Sequence, residues 1–279
     1  MQVPSNSPSV SFSGSAVAPG EAYLAETPVL RSHAGTQPDL FLRWNAVPRA
    51  TKGIDVVVHL HGFSQQGCDM ALAEKVPRSG LDLSRRSRPT LALLPRGNWL
   101  RRTYYDFPAL LAGGLDRLVD YGVEQFARAA GLKLAVDRLI LTAHSGGGMP
   151  AIDAVAGAAR RPDELHIFDG LYGRDPSLGD PMRGIEVLER WLEERIEREP
   201  ARPGALRTVY IERQTGSFSR AAGNLIARRF QEFDPVLAGE LARRYRVEPS
   251  GVPHGYVAAV CGPELLADPA ADFEWKRLI

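Results

Sequence analysis

The 279-residue sequence predicts an α/β domain with a mostly parallel central sheet and helices on both faces. Three observations carry this. Short β-branched runs alternate with helical stretches, a pattern that needs crossover connections. One such run, Arg138 to Thr142, leads into Ala143-His144-Ser145-Gly146-Gly147-Gly148, and a helical stretch follows. Finally, His254 stands in a Pro/Gly turn directly after the last candidate strand.

Taken in order, Val10 to Leu30 holds β-prone pieces broken by Pro and Gly. It is expected as a peripheral hairpin or ordered arm, so residues 1–38 are read as peripheral and 39–279 as one domain. Leu40 to Trp44 is an early strand. Asp55 to Leu60 lies between Gly53 and Gly62 and reads as a buried strand. Thr90 to Leu94 is another, stopped by Pro95 and Gly97. Leu115 to Ala130 has helical spacing, with Gly131 as its C-cap. Met149 to Ala159 is the helix after Ser145. Leu165 to Phe168, Thr208 to Ile211 and Tyr245 to Val247 are further strands. Helices are predicted over Ile185 to Ile196 and Ala221 to Phe233.

Composition narrows the function. A hydrophobic share of 44% and a charged share of 24% suit a globular chain, and a net charge of +1 argues against nucleic-acid binding. No apolar run approaches the roughly 18 residues of a membrane span. The Ser/Pro/Gly-rich start, Met1 to Gly20, lacks the basic head and apolar core of a signal peptide. A cytoplasmic location is therefore expected unless a signal was removed. Cys68 and Cys261 form no metal pattern and are read as unpaired thiols, with a bridge between them as the alternative.

A serine at a strand-to-helix bend is exposed above the sheet edge, and small flanking residues let strand and helix nearly touch. Such a serine needs a base to take its proton. Of the six histidines, His254 is the best placed, because loops at strand C-termini are where α/β folds carry chemistry. His144 is too close along the chain to meet Ser145 and reads as structural or pocket-lining. His166 lies inside an apolar strand. His59 and His61 share a strand face, but no third ligand follows, so no metal is expected. An acid must fix the tautomer of the base. Asp169, directly after a strand, ranks first; Glu212, after the next strand, second; Asp175, in the same loop as Asp169, third.

With these residues assembled, the chain resembles the α/β-hydrolase family over roughly Asp39 to Leu266. The family's elbow is Gly-x-Ser-x-Gly; here Ala143 stands at its first position and Gly147 at its last. The order nucleophile, acid, histidine also agrees. The resemblance implies a Ser145–His254–acid triad, with Glu212 at the place where the family more often carries its acid. It implies that the His61-Gly62 turn shapes an oxyanion hole, with Phe63 and Gly146 supplying the backbone N–H groups. It further implies a serine hydrolase that cleaves an ester or amide through an acyl-enzyme, with no cofactor. The substrate would be a small or polymeric acyl compound. A peptidase, an acyltransferase or a non-catalytic binding protein are the alternatives. Tyr172 to Leu206 holds one helix, so a small lid or none is expected. Trp99, Tyr172 and Tyr256 are the expected substrate-binding aromatics; Tyr104, Tyr105, Phe107 and Phe218 are further aromatics that could reach the pocket, about half of the seven being expected in the core.

Overall fold

In the computed structural model, which describes residues 10–33, 39–62, 71–97, 107–172, 183–199 and 201–271, alternating side chains along each strand divide the core into two faces. Strands β1 (Phe12–Ser13), β2 (Ala16–Val17) and β5 (Val47–Pro48) form a small antiparallel sheet. The main sheet has eight strands: β3 (Gly20–Leu24), β4 (Leu40–Trp44), β6 (Gly53–Leu60), β7 (Thr90–Pro95), β8 (Ala135–His144), β9 (Glu164–Phe168), β10 (Ala205–Tyr210) and β11 (Tyr245–Pro249). Their spatial order is β11-β10-β9-β8-β6-β7-β4-β3. The pairs β3/β4 and β4/β7 are antiparallel, and the others are parallel. This is the α/β-hydrolase fold expected from the resemblance. Gly20–Leu24, read with the arm, is the edge strand of this sheet and pairs with β4 along its length.

On one face Val56, Val58 and Leu60 of β6 and Leu139, Leu141 and Ala143 of β8 meet four helices. These are α2 (Gly114–Ala130), α3 (Gly148–Gly157), α4 (Arg183–Ile196) and α5 (Glu212–Phe230). On the other face Val57, Ile140, Phe168 and Val209 meet α1 (Leu72–Lys75) and α7 (Val257–Leu265). Each aliphatic side chain so buried contributes about 1.5–3 kcal/mol. The C-cap expected at Gly131 is present: its φ is +61° and its N–H bonds the Ala127 carbonyl. No helix among the described residues is long and apolar enough to cross a membrane.

Three of the longer helices differ from expectation. Helix α5 starts at Glu212, nine residues before the predicted Ala221, because its first two turns (Glu-Arg-Gln-Thr-Gly-Ser-Phe-Ser) hide their helicity behind Gly, Ser and Thr. Helix α6 (Pro235–Arg244) was not predicted. Its signal is present: Pro235 opens it, and the Asp234 carboxylate accepts from the Val236 and Leu237 N–H groups. Helix α7 was also not predicted, because Pro263 lies within it. His254 is thus the first residue of a 3₁₀ turn, His254–Tyr256, that runs into a helix.

At the N-terminal ends of the strands a group of ions is fully buried. The Arg86 guanidinium donates to Asp55 on β6 at 3.1 Å and to both oxygens of Glu164 on β9 at 3.1 Å. Burial works to raise the Glu164 carboxyl, but Arg86 and the His166 hydrogen bond outweigh it and hold it well below its usual range. Nearby, the buried Arg207 of β10 donates to the carbonyls of Leu265 (2.9 Å) and Ala267 (2.6 Å), which ties down the end of α7. Removing one partner of a buried pair leaves the others charged and unpaired. Arg86→Met should therefore lower the unfolding free energy by about 3–5 kcal/mol. Urea denaturation checks this, and a loss below about 1 kcal/mol would show that the cluster carries little stability.

Candidate active site

The site lies at the C-terminal ends of β6, β8 and β9. Strand β8 ends at His144, and Ser145 follows in a 3₁₀ turn, Ser145–Gly147, before α3. The turn is sharp enough that Ser145 takes φ +52°, a left-handed conformation costly to a residue with a Cβ. The small flanks have a measurable reason. A Cβ on Gly147 would lie 2.3 Å from the Leu60 carbonyl oxygen, and one on Gly148 would lie 2.0 Å from that of Gly170. Ala143, where the elbow pattern has Gly, is accommodated within the core.

Asp169 follows β9 directly and is itself at φ +45°. Its side chain is fully buried. One oxygen, Oδ1, accepts from the Ile211 N–H at 2.8 Å and from the Thr215 hydroxyl. The other, Oδ2, accepts from His254 Nδ1 at 2.6 Å. Burial alone would raise this carboxyl, but the bonds from His254, Thr215 and Ile211 outweigh it and hold it below its usual value. With Nδ1 donating, His254 Nε2 is an acceptor, and it lies 2.8 Å from Ser145 Oγ. Ser145, His254 and Asp169 therefore form one continuous hydrogen-bonded chain.

The histidine is held from two further sides. The His254 carbonyl accepts from His144 Nε2 at 2.9 Å, and the two rings lie 5.0 Å apart. Helix α7, which follows the His254 turn, packs Val257, Ala258, Cys261 and Leu265 on Phe168, the residue before Asp169. The Cys261 thiol is free and buried, and burial pushes it up to about 11. Cys68 lies outside the described residues.

The other predicted residues divide clearly. Glu212 does not reach the histidine: it is the exposed first residue of α5 and pairs with Arg220. Sequence reading places it after the strand Thr208 to Ile211, but the strand ends at Tyr210 and the chain turns into the helix at this residue. Asp175, Phe63 and Trp99 lie outside the described residues, as do Tyr104 and Tyr105. Tyr172 is half exposed, and its hydroxyl lies 3.3 Å from Ser145 Oγ. Tyr256 is exposed beside His254 in sequence. Phe107 and Phe218 are core residues.

His61 and Gly62 adjoin the serine. His61 Nε2 accepts from the Gly97 N–H at 2.9 Å, and its Nδ1 donates to the Gly62 carbonyl at 3.0 Å. That carbonyl also accepts from the buried Lys75 ammonium at 3.0 Å. Sequence reading missed Lys75 and Thr215, since neither stands in a motif and each acts only through a fold contact. A Cβ on Gly62 would lie 2.7 Å from that of Ser145. Each imidazole of the His59-Leu60-His61 pair is thus engaged, His59 Nδ1 with Thr142 Oγ1 at 2.8 Å. No metal-holding group of three or more His, Cys, Asp or Glu occurs among the described residues.

No protein-family model matches the chain, and no curated protein sequence matches it. Solved structures with a similar chain path include an S-formylglutathione hydrolase from Agrobacterium tumefaciens (13% identity, 94% of this chain and 97% of that one, TM-score 0.47). They also include a fluorophosphonate-binding serine hydrolase from Staphylococcus aureus (10% identity, 90% and 99%, TM-score 0.48). A third is a siderophore hydrolase from Aspergillus nidulans (15% identity, 90% and 95%, TM-score 0.45). The chemistry is read from this chain's own side chains.

Three imidazoles near the sheet are kept neutral, chiefly by burial: His59 at about 3, His144 at about 4 and His166 at about 4. The Lys75 ammonium adds to this at His59 and His144; the bond to the His254 carbonyl and the Asp169 carboxylate oppose it at His144, and Glu164 opposes it at His166. All three values lie below the 6.5 of an unperturbed histidine, so the unfolded chain binds protons more readily. Their share of stability is complete above about pH 6.5 and is lost as pH falls toward 4. Urea midpoints measured between pH 7 and pH 4 should fall accordingly. A level profile would contradict the neutral assignment.

Proposed function

We propose that this chain is a serine hydrolase that cleaves carboxylic esters through an acyl-enzyme. The observation that carries the reading is the unbroken chain from Ser145 Oγ to His254 Nε2 (2.8 Å) and from His254 Nδ1 to Asp169 Oδ2 (2.6 Å). These are the contacts a hydroxyl needs to lose its proton as it attacks a carbonyl. In the proposed reaction, Ser145 Oγ bonds to the ester carbon while His254 Nε2 takes the proton. The Asp169 carboxylate keeps the imidazole in the Nδ1–H tautomer and stabilises the imidazolium. The C–O bond to the leaving group then breaks, and His254 returns the proton to the departing oxygen. Water, deprotonated by His254, releases the acid and restores Ser145.

The developing oxyanion needs backbone donors. We assign these to Gly146, the residue after the nucleophile, and to Phe63. The Gly62 carbonyl, on the other side of the Gly62–Phe63 peptide, is held by both His61 and Lys75. Side-chain exposure also fits the roles: His254 is 29% exposed while Asp169 is 0%, so the base can reach substrate and its acid cannot.

Ser145→Ala is expected to lower kcat/KM for p-nitrophenyl acetate by roughly 10⁴-fold or more and to abolish labelling by a fluorophosphonate probe. Asp169→Asn should cost roughly 10³–10⁴-fold through the wrong tautomer. Glu212→Gln should be close to wild type. Normal labelling of the Ser145→Ala protein would reject the nucleophile, and a larger loss at Glu212 than at Asp169 would reject the acid. A non-catalytic binding protein would show neither hydrolysis nor labelling.

A further inference from the structure

Beside the serine and the imidazole stands a third group that the triad chemistry leaves without a task. The Tyr172 hydroxyl is 3.3 Å from Ser145 Oγ and 3.5 Å from His254 Nε2. The three polar atoms form a nearly even triangle, since Oγ and Nε2 are 2.8 Å apart. Tyr172 is three residues past Asp169, and Gly170 between them packs against the Ser145 carbonyl, where a Cβ would lie 2.8 Å from that oxygen. The phenol is therefore carried on the same stiff strand end as the acid. Tyr172 as a residue remains 44% exposed, so it is open to solvent beside the serine and the imidazole.

Geometry limits what such a hydroxyl can do. In acyl transfer the departing oxygen must come within hydrogen-bond reach of the imidazole nitrogen that protonates it. It must also lie beside the serine oxygen, because both are bonded to the same carbon in the tetrahedral intermediate. A group within about 3.5 Å of both atoms borders that position. We propose that Tyr172 is a further catalytic residue: its O–H donates a hydrogen bond to the leaving-group oxygen as the carbon–oxygen bond breaks. This rests on the serine-hydrolase reading above.

In the free protein the same O–H donates to Ser145 Oγ, whose own proton points at His254 Nε2. Once Oγ is bonded to the carbon of the tetrahedral intermediate it is a poorer acceptor, and the phenol turns to the leaving-group oxygen on that same carbon. No proton leaves the phenol at any stage. The serine proton goes to His254 and from there to the leaving group; Tyr172 only lowers the charge that builds up before the transfer completes. Burial raises the phenol above its ordinary value, so it stays a donor throughout the neutral range.

The interaction matters most where the departing oxygen is strongly basic. An alkoxide gains from a donor, whereas p-nitrophenolate disperses its own charge. The test compares Tyr172→Phe with wild type on ethyl acetate and p-nitrophenyl acetate, which share one acyl group. kcat/KM reports acylation, including leaving-group departure. The expected result is a loss on the ethyl ester about ten- to a hundredfold larger than the loss on the nitrophenyl ester, the range for a hydrogen bond to a charged group. A general structural defect would lower both equally, and that outcome overturns the proposal, as does an unchanged ethyl-ester rate. Thermal melting of the variant shows whether it folds, and Tyr172→Trp, which keeps the aromatic wall without an O–H at that place, should show the same selective loss. Failure of the underlying reading looks different: wild type would then hydrolyse neither ester, or Ser145→Ala would still be labelled by a fluorophosphonate.

Discussion

The ends of three adjacent strands meet almost backbone to backbone behind Ser145, and the rest of the site depends on that convergence. Gly147 lies against the carbonyl of Leu60 on β6, Gly148 against that of Gly170 after β9, and Gly62 against the side chain of Ser145 itself. Nothing larger than hydrogen fits at these contacts. Two strained residues, Ser145 and Asp169, sit at either side of the seam with positive φ. Strain of this kind costs of order 1–3 kcal/mol per residue and persists only where the surroundings enforce it. Here enforcement comes from strands whose outward side chains are buried on both faces.

Electrostatics differ between the two ends of the same sheet. At the N-terminal ends full charges are buried together, and Arg86 satisfies Asp55 and Glu164. Near the C-terminal ends the imidazoles of buried His59 and partly buried His144 are neutral and serve as hydrogen-bond parts. The sole carboxylate in the proposed triad is fully buried and meets three donors on its two oxygens. A carboxylate so placed has little freedom to do anything but orient its partner. One full positive charge, the buried Lys75 ammonium on the Gly62 carbonyl, also lies at this end of the sheet.

Much of this was readable from residue order. Strands with β-branched runs and the helix capped at Gly131 announced themselves, because their buried faces are apolar and regular. Ser145 and His254 stood out through small and turn-forming neighbours. Asp169 was ranked ahead of Glu212 from its strand-end position, and its carboxylate lies 2.6 Å from His254 Nδ1. The first turns of α5 were hidden by polar, weakly helical residues, and α7 by Pro263. Lys75 and Thr215 were invisible for a different reason. Their partners, Gly62 and Asp169, lie 13 and 46 residues away, and no local pattern encodes such a meeting.

Helix α7 deserves a last thought for what it means as the chain is made. The hydroxyl and the imidazole are 109 residues apart, and the imidazole rides on a helix fastened at its far end by Arg207. A growing polypeptide exposes Ser145 long before its partner has left the ribosome. Until the last helix is clamped onto Phe168 and Val209, the serine is an ordinary alcohol. On the proposed reading, the Ser145–His254 contact forms only once α7 has docked on Phe168 and Val209, so chemical competence comes late in the making of the chain.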